Sequence, residues 1–172
     1  MDIKNSSSKK VIAIAAMSLG RIIGKDDKIP WHIPGEQKHF AKLTKGHTVL
    51  MGRETFDSLP DKAKPLPKRV NIVASRTLSS LNDFPKVMVI NNINKYVNDF
   101  KSQKSDAKSN ILWIIGGQQI YEVTKDLWDE VYLTSINGKY EGNVYFPEFE
   151  KDFELYKEEV LPTHKYQYFK RR

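Results

Sequence analysis

Ile111-Leu112-Trp113-Ile114-Ile115-Gly116-Gly117, followed by Gln118-Gln119-Ile120-Tyr121-Glu122-Val123-Thr124, is the stretch that decides the architecture. Ile111–Ile115 is apolar without interruption, as a strand buried on both faces of a parallel sheet must be. The glycine pair stops it, and Gln118–Thr124 then reads as a helix. A strand that runs through glycines into a helix is the repeating unit of an α/β fold, and ligands of open α/β sheets bind at the carboxyl ends of the strands. Gly116-Gly117 lets a ligand approach the backbone closely and leaves N–H groups free to face a phosphate. The pair is not a G-x-G-x-x-G fingerprint, so a regular Rossmann domain is not indicated.

The same pattern recurs on either side. Val11–Met17 is a first strand, apolar on both faces, and Ser18–Lys28 after it is a long polar loop with Gly20 and Gly24. Loops of that length are commonly functional. Thr48–Met51 is a short apolar strand, and Gly52-Arg53-Glu54-Thr55 opens a short helix ending near Leu59. That turn fits an anion site and fits equally an ordinary strand-to-helix turn with a solvated arginine. Arg69–Ser75 is a third strand with Ser75-Arg76 at its carboxyl end, after a Pro/Lys loop over Pro60–Lys68. Lys86–Ile90 reads as a strand, Asn92–Phe100 as a polar helix, Lys101–Asn110 as a charged loop, and Trp128–Ile136 as a strand. Val144–Phe146 is a short strand stopped by Pro147, and Phe153–Val160 pairs with His164–Lys170 around Pro162. Alternating strands and helices followed by a late hairpin predict one α/β domain, with a mostly parallel mixed sheet and an antiparallel C-terminal edge.

Ile29–Phe40, Ile-Pro-Trp-His-Ile-Pro-Gly-Glu-Gln-Lys-His-Phe, contains the chemical anomaly. Pro30 and Pro34 fix a rigid loop carrying Trp31, and Pro34 is expected just inside the start of a helix that stops at Gly46. Glu36, His39, Phe40 and Leu43 share one face of that helix by spacing. Glu36 admits two readings: a first-turn acid favoured by the helix dipole, or a carboxylate facing a pocket that takes a cationic planar ligand.

Composition narrows the classes. The 172 residues suit one domain with a substantial core, and there is no cysteine to form a disulfide or thiolate metal site. No apolar stretch approaches the roughly 18 residues of a membrane span. Lys9-Lys10 before Val11–Met17 superficially resembles a signal peptide, but the apolar run is short and leads into a turn. Residues 1–10, with Ser6-Ser7-Ser8, are expected to form a disordered tail ahead of a domain over 11–172. The net charge of +7 suits polyanionic ligands, yet the basic residues are scattered and form no RNA-binding motif. His32, His39, His47 and His164 have no metal-ligand spacing, so no metal is expected.

Taken together, the ordered motifs resemble those of dihydrofolate reductases over about residues 11–172. They are Ile14-Ala15-Ala16, Ile22-Ile23-Gly24, Pro30-Trp31 with Pro34 and Glu36, Met51-Gly52-Arg53 with Thr55, Pro65-Leu66 with Arg69-Val70-Asn71, Ile115-Gly116-Gly117 with Ile120-Tyr121, Tyr132-Leu133-Thr134, and Glu141-Gly142 with Phe146-Pro147. The resemblance implies a central eight-stranded sheet with about four flanking helices. It implies NADPH-dependent reduction of 7,8-dihydrofolate to tetrahydrofolate for one-carbon metabolism, by a cytoplasmic monomer that antifolates inhibit, with no nucleic-acid or membrane partner. Glu36 matches the family's acid, Thr134 the hydroxyl bonded to it, and Trp31 the residue that holds a water nearby. Ile14, Ala15, Gln37, Phe40, Ser58, Leu59, Leu66, Ile115 and Tyr121 match positions around the substrate, and Arg69 matches the arginine that pairs with its α-carboxylate. Ala16, Ile23, Gly24, Gly52, Arg53, Glu54, Thr55, Ala74, Ile115, Gly116, Gly117, Gln118, Gln119 and Ile120 match cofactor positions, and Ser75-Arg76 match the pair that reads the 2′-phosphate. The Gly116–Gly117 bond should be cis, and Ser18–Lys28 should be the loop that closes over nicotinamide. Gln37 departs from an apolar family position, and the loop over Pro60–Lys64 is longer than in many bacterial members. Two alternatives remain: a pyrimidine reductase of riboflavin synthesis, of related fold but without the acid motif, and an idle basic nucleic-acid-binding protein.

Overall fold

The computed structural model describes residues 9–26, 28–102 and 109–172. In chain order its elements are β1 (Lys10–Met17), β2 (Ile22–Gly24), α1 (Glu36–Thr44), β3 (Thr48–Gly52), α2 (Arg53–Ser58), β4 (Val70–Ala74), β5 (Met88–Ile90), α3 (Ile93–Ser102), β6 (Ile111–Ile114), α4 (Gln118–Thr124), β7 (Glu130–Ile136), β8 (Val144–Tyr145), β9 (Phe153–Val160) and β10 (His164–Arg171). Eight strands form one sheet in the order β5-β4-β3-β6-β1-β7-β10-β9. The pairings from β5 through to β7 are parallel, and β10 runs antiparallel to both β7 and β9. The expected single α/β domain with its antiparallel C-terminal edge is therefore the fold.

The central strands are apolar on both faces because both faces are covered. Along β1, Val11 and Ala13 enter one cluster with Phe100, Tyr121 and Trp128, while Ile12 and Ile14 enter another with Phe56, Leu66 and Trp113. This alternation is the period-2 geometry of a strand. The carboxyl ends of β1, β3, β6 and β7 consequently lie side by side, which gathers the motifs on one rim.

Three expectations need correction. Pro34 is not a helical residue: Gly35 takes a left-handed conformation at φ 88° and is the N-cap, so α1 begins at Glu36. Ser18–Lys28 is not wholly loop, since it holds a 3-10 turn over Leu19–Arg21 and then β2, which pairs antiparallel with β8. Lys10 is a strand residue rather than tail, and residues 1–8 lie outside the described residues, as do Asp27 and residues 103–108 of the charged loop.

Candidate active site

The first turn of α1 presents Glu36 to β7. Thr134, only 4% exposed, donates from Oγ1 to Glu36 Oε1 at 3.0 Å, across 98 positions of sequence. Register explains the meeting: Thr134 pairs with Ala16 near the carboxyl end of β1, at the rim that α1 covers. Glu36 Oε2 is buried and has no hydrogen-bond partner among the described residues. Burial raises the Glu36 carboxyl above its usual range, and the Thr134 hydrogen bond opposes that rise as the smaller effect. A half-buried carboxylate with one oxygen fixed and the other unsatisfied is equipped to accept hydrogen bonds from a ligand.

The walls continue from this point. Ile14, Phe40, Leu59, Leu66 and Ile115 belong to one apolar cluster, and α1 leaves Phe40 and Leu43 only partly covered. Trp31 closes an adjoining wall with Ile22, Ile136 and Ala16, its ring edge-on to Tyr140 at 5.4 Å. At the far end of α1, Arg69 Nη1 donates to Thr44 Oγ1 at 3.0 Å, and the guanidinium lies 5.9 Å from the Phe40 ring centre. Eight helical steps separate Glu36 from Thr44, so the carboxylate and the guanidinium bracket about 12 Å of cleft.

The glycine turns lie beside each other on the same rim. Gly52 N–H donates to the Gly116 carbonyl at 2.8 Å, which ties the end of β3 to the loop after β6. A Cβ on Gly52 would meet Ile120 Cγ1 at 3.1 Å, and one on Gly117 would meet Thr55 Oγ1 at 3.3 Å. Side chains are thus kept out of both turns, and the Thr55 hydroxyl stands against Gly117. The Gly116–Gly117 bond is cis. Ser75 Oγ accepts from the Thr77 and Leu78 backbone N–H groups at 3.3 and 3.1 Å, and this turn presents the exposed Arg76. Arg53 donates to both Asp57 oxygens at 3.0 and 3.1 Å. Of the remaining cofactor positions, Ile23, Ala74 and Ile120 pack in the cluster on the other face of the sheet, together with the substrate position Ala15.

The chain matches the dihydrofolate reductase family over residues 10–171. The chain belongs to that family. The dihydrofolate reductase of Bacillus subtilis is 38% identical over 138 residues, which cover 80% of this chain and 76% of the relative. That of Staphylococcus aureus is 37% identical over 136 residues, covering 79% and 77%. Among solved structures, dihydrofolate reductase from Enterococcus faecalis complexed with NADP(H) and RAB-propyl superposes with a TM-score of 0.80. It is 25% identical and covers 97% of this chain and 98% of that one. The family assignment favours dihydrofolate reduction over the pyrimidine-reductase and nucleic-acid alternatives. Among the described residues no helix is long and apolar enough to cross a membrane.

The other positions expected from sequence differ in exposure and in bonding. Gln37, Glu54 and Gln119 are exposed, and Ser58 donates its hydroxyl to the Thr55 carbonyl at 2.7 Å. Tyr121 is buried, which pushes its hydroxyl well above the usual phenol range, and it donates to the Ile14 carbonyl at 2.6 Å. It anchors β1 from the α4 side. Gln118 accepts from Tyr145 N–H at 2.9 Å and so ties α4 to β8. Sequence reading gave no role to Asn71. This buried amide donates to the Leu66 and Arg69 carbonyls at 3.0 and 3.1 Å and accepts from Leu66 N–H at 3.0 Å. It shapes the loop that carries Arg69. Its signals in the sequence are its place in the Arg69-Val70-Asn71 motif and an amide within the otherwise apolar run Val70–Ala74.

Proposed function

We propose that the cleft along α1 holds 7,8-dihydrofolate while NADPH reduces it to tetrahydrofolate. The observation that carries this reading is the half-buried Glu36 carboxylate, with Oε1 held by Thr134 and Oε2 unsatisfied. The amino-pyrimidine edge of a pterin offers parallel N–H donors, the natural match for a carboxylate pair of oxygens. Arg69, about 12 Å along α1, suits the α-carboxylate at the other end of the substrate, with Phe40, Leu59 and Leu66 between them. A ligand with a flat head that donates N–H groups, an apolar middle and an anionic tail is therefore the one this cleft fits.

The residues on the rim fit NADPH as well. Gly52 and Gly117 keep space open beside Thr55, and Arg53, Ser75 and Arg76 supply cationic and hydroxyl groups for its phosphates. Bound NADPH supplies the hydride. Glu36, held protonated to higher pH than an ordinary carboxyl, assists delivery of the balancing proton to the ring nitrogen next to the carbon that accepts hydride. Trp31 and its cluster position the loop that excludes water from that step. Size and family favour a cytoplasmic monomer, and the scattered basic residues favour a small-molecule rather than a nucleic-acid partner.

The test is the fall in NADPH absorbance on addition of dihydrofolate, its inhibition by an antifolate, and the same assay on Glu36→Gln. The variant should bind NADPH normally and lose most turnover near neutral pH. Turnover equal to wild type would remove Glu36 from the mechanism.

A further inference from the structure

The first turn of α1 is held from the sheet at two adjacent points, and only one of them is the Thr134 contact. Tyr166 on β10 stands directly opposite Thr134 on β7 in the ladder, so the two side chains project from the same face. Thr134 reaches Glu36. Tyr166 stacks on His39, with ring centroids 3.7 Å apart and planes 11° from parallel. Glu36 and His39 are three residues apart and therefore neighbours on the helix surface. His164, two residues before Tyr166 on the same strand, backs that ring edge-on at 5.1 Å, and its Nδ1 lies 2.9 Å from the Thr163 hydroxyl. Other anchors for this turn are few. Thr44 at the opposite end is the only buried residue of α1, and the N-cap Gly35 has no side chain to cap it.

We propose that Tyr166 and His39 are a positioning pair for Glu36: their stack clamps the first turn of α1 against β10 and thereby fixes where the carboxylate points. The inference rests on the role proposed above for Glu36. The groups around the stack are Lys42 on α1, Glu159 on β9, and His164 and Tyr168 on β10, with Glu36 itself alongside. Burial lowers the His39 imidazole from its usual range, so a neutral ring meets Tyr166 at neutral pH. A carboxylate that must meet a flat heterocycle edge-on tolerates little displacement, since about 1 Å of misplacement can cost on the order of 100-fold in rate.

Four variants test this together: Tyr166→Leu, Tyr166→Phe, His39→Ala and Tyr168→Leu, with Glu36→Gln in parallel. Tyr166→Leu and His39→Ala should each lower kcat about tenfold, a fraction of the loss that full misplacement brings. NADPH affinity should stay within about twofold, because that site is on other strands. Water admitted beside Glu36 should also move the fall of kcat with pH to lower pH. A fifth variant that combines Tyr166→Leu with His39→Ala should be no slower than the worse of the two single ones, as expected for two halves of one contact. Tyr166→Phe keeps the ring and should keep both kcat and the pH profile. Tyr168→Leu removes the next ring on the same face, which packs on Tyr132 rather than His39, and should lower Tm while sparing kcat. Wild-type kcat in both Tyr166→Leu and His39→Ala, beside an inactive Glu36→Gln, would overturn the proposal. So would equal loss of kcat in Tyr168→Leu, which would mean general loosening, or loss in Tyr166→Phe equal to that in Tyr166→Leu. An active Glu36→Gln would instead bring down the reading on which the inference stands.

Discussion

Replacing Thr134 by valine should lower the plateau rate and extend activity to higher pH. The side chain is buried and its one bond to the acid is the 3.0 Å donation to Glu36 Oε1. Valine keeps the branched shape and deletes only the donor. A hydrogen bond to a charged acceptor contributes about 1.5–3 kcal/mol, and the partial exposure of Glu36 argues for the lower end. That energy favours the ionised carboxylate, against the larger effect of burial, which favours the acid. Removing it leaves burial unopposed, so the carboxyl rises further above its usual range. About 1.4 kcal/mol is a tenfold change in proton affinity. At a pH well above the wild-type midpoint, the variant therefore keeps about tenfold more of its Glu36 protonated. At low pH, where both proteins are protonated, the variant loses rate because the carboxyl has lost its tether. The assay is single-turnover reduction from mildly acid to alkaline pH, with deuterated cofactor to isolate hydride transfer. The two profiles should differ in height at the acid end and converge at the alkaline end. A midpoint unmoved, or displaced to lower pH, would refute the assignment of the titration to Glu36 and of its tuning to Thr134. The direction is opposite to that expected for Tyr166→Leu, so the tether and the clamp are separable by the sign of the shift.

A Cβ on Gly142 would lie 2.5 Å from the Gly24 carbonyl oxygen and collide with Ile22 Cγ2, both on β2. Gly142→Ala should cost about 1–3 kcal/mol in overpacking, read as a Tm lower by roughly 2–10 °C. If β2 parts from β8 instead, Tm should hold and kcat should fall; unchanged Tm and kcat would show that the strands make room freely. Arg76→Ala should weaken NADPH binding by about tenfold, the scale of one charge-assisted contact, and leave NADH within about twofold. Equal losses in titrations of both cofactors would mean that Arg76 does not read the 2′-phosphate. Asn71→Ala breaks three buried hydrogen bonds that shape the Leu66–Arg69 loop. It should raise KM for dihydrofolate more than it lowers kcat, and steady-state kinetics showing the reverse would place Arg69 outside substrate binding.

Whether a feature could be read from the sequence depended on whether its cause lay within a short stretch of chain. Val11–Met17 of β1, Val49–Met51 of β3 and Ile111–Ile114 of β6 are unbroken apolar runs because both faces of the central sheet are covered, and a run of that kind states its own burial. β2 has three residues, and what makes it a strand is β8, more than a hundred positions later, so no local period could reveal it. The start of α1 is a conflict between two local signals. Pro34 is a good first helical residue, but Gly35 takes the left-handed turn that only the residue without a Cβ enters freely, and the helix must begin after it. Glu36 was visible as an anomaly because a carboxylate on an apolar helix face demands a reason. Its partner was not, since Thr134 is an ordinary hydroxyl in an ordinary strand until register sets it beside Ala16 and under α1. Tyr166 shows the same limit more sharply. On its own strand it is one of several aromatic residues on an edge hairpin, and His39 is one histidine on a half-exposed helix. The stack between them comes from the pairing of β10 with β7, which puts Tyr166 next to Thr134. The acid is thus legible in its own helix, whereas the groups that tune and aim it belong to the sheet's register, and perturbing them is the way to learn how much of the rate depends on that aim.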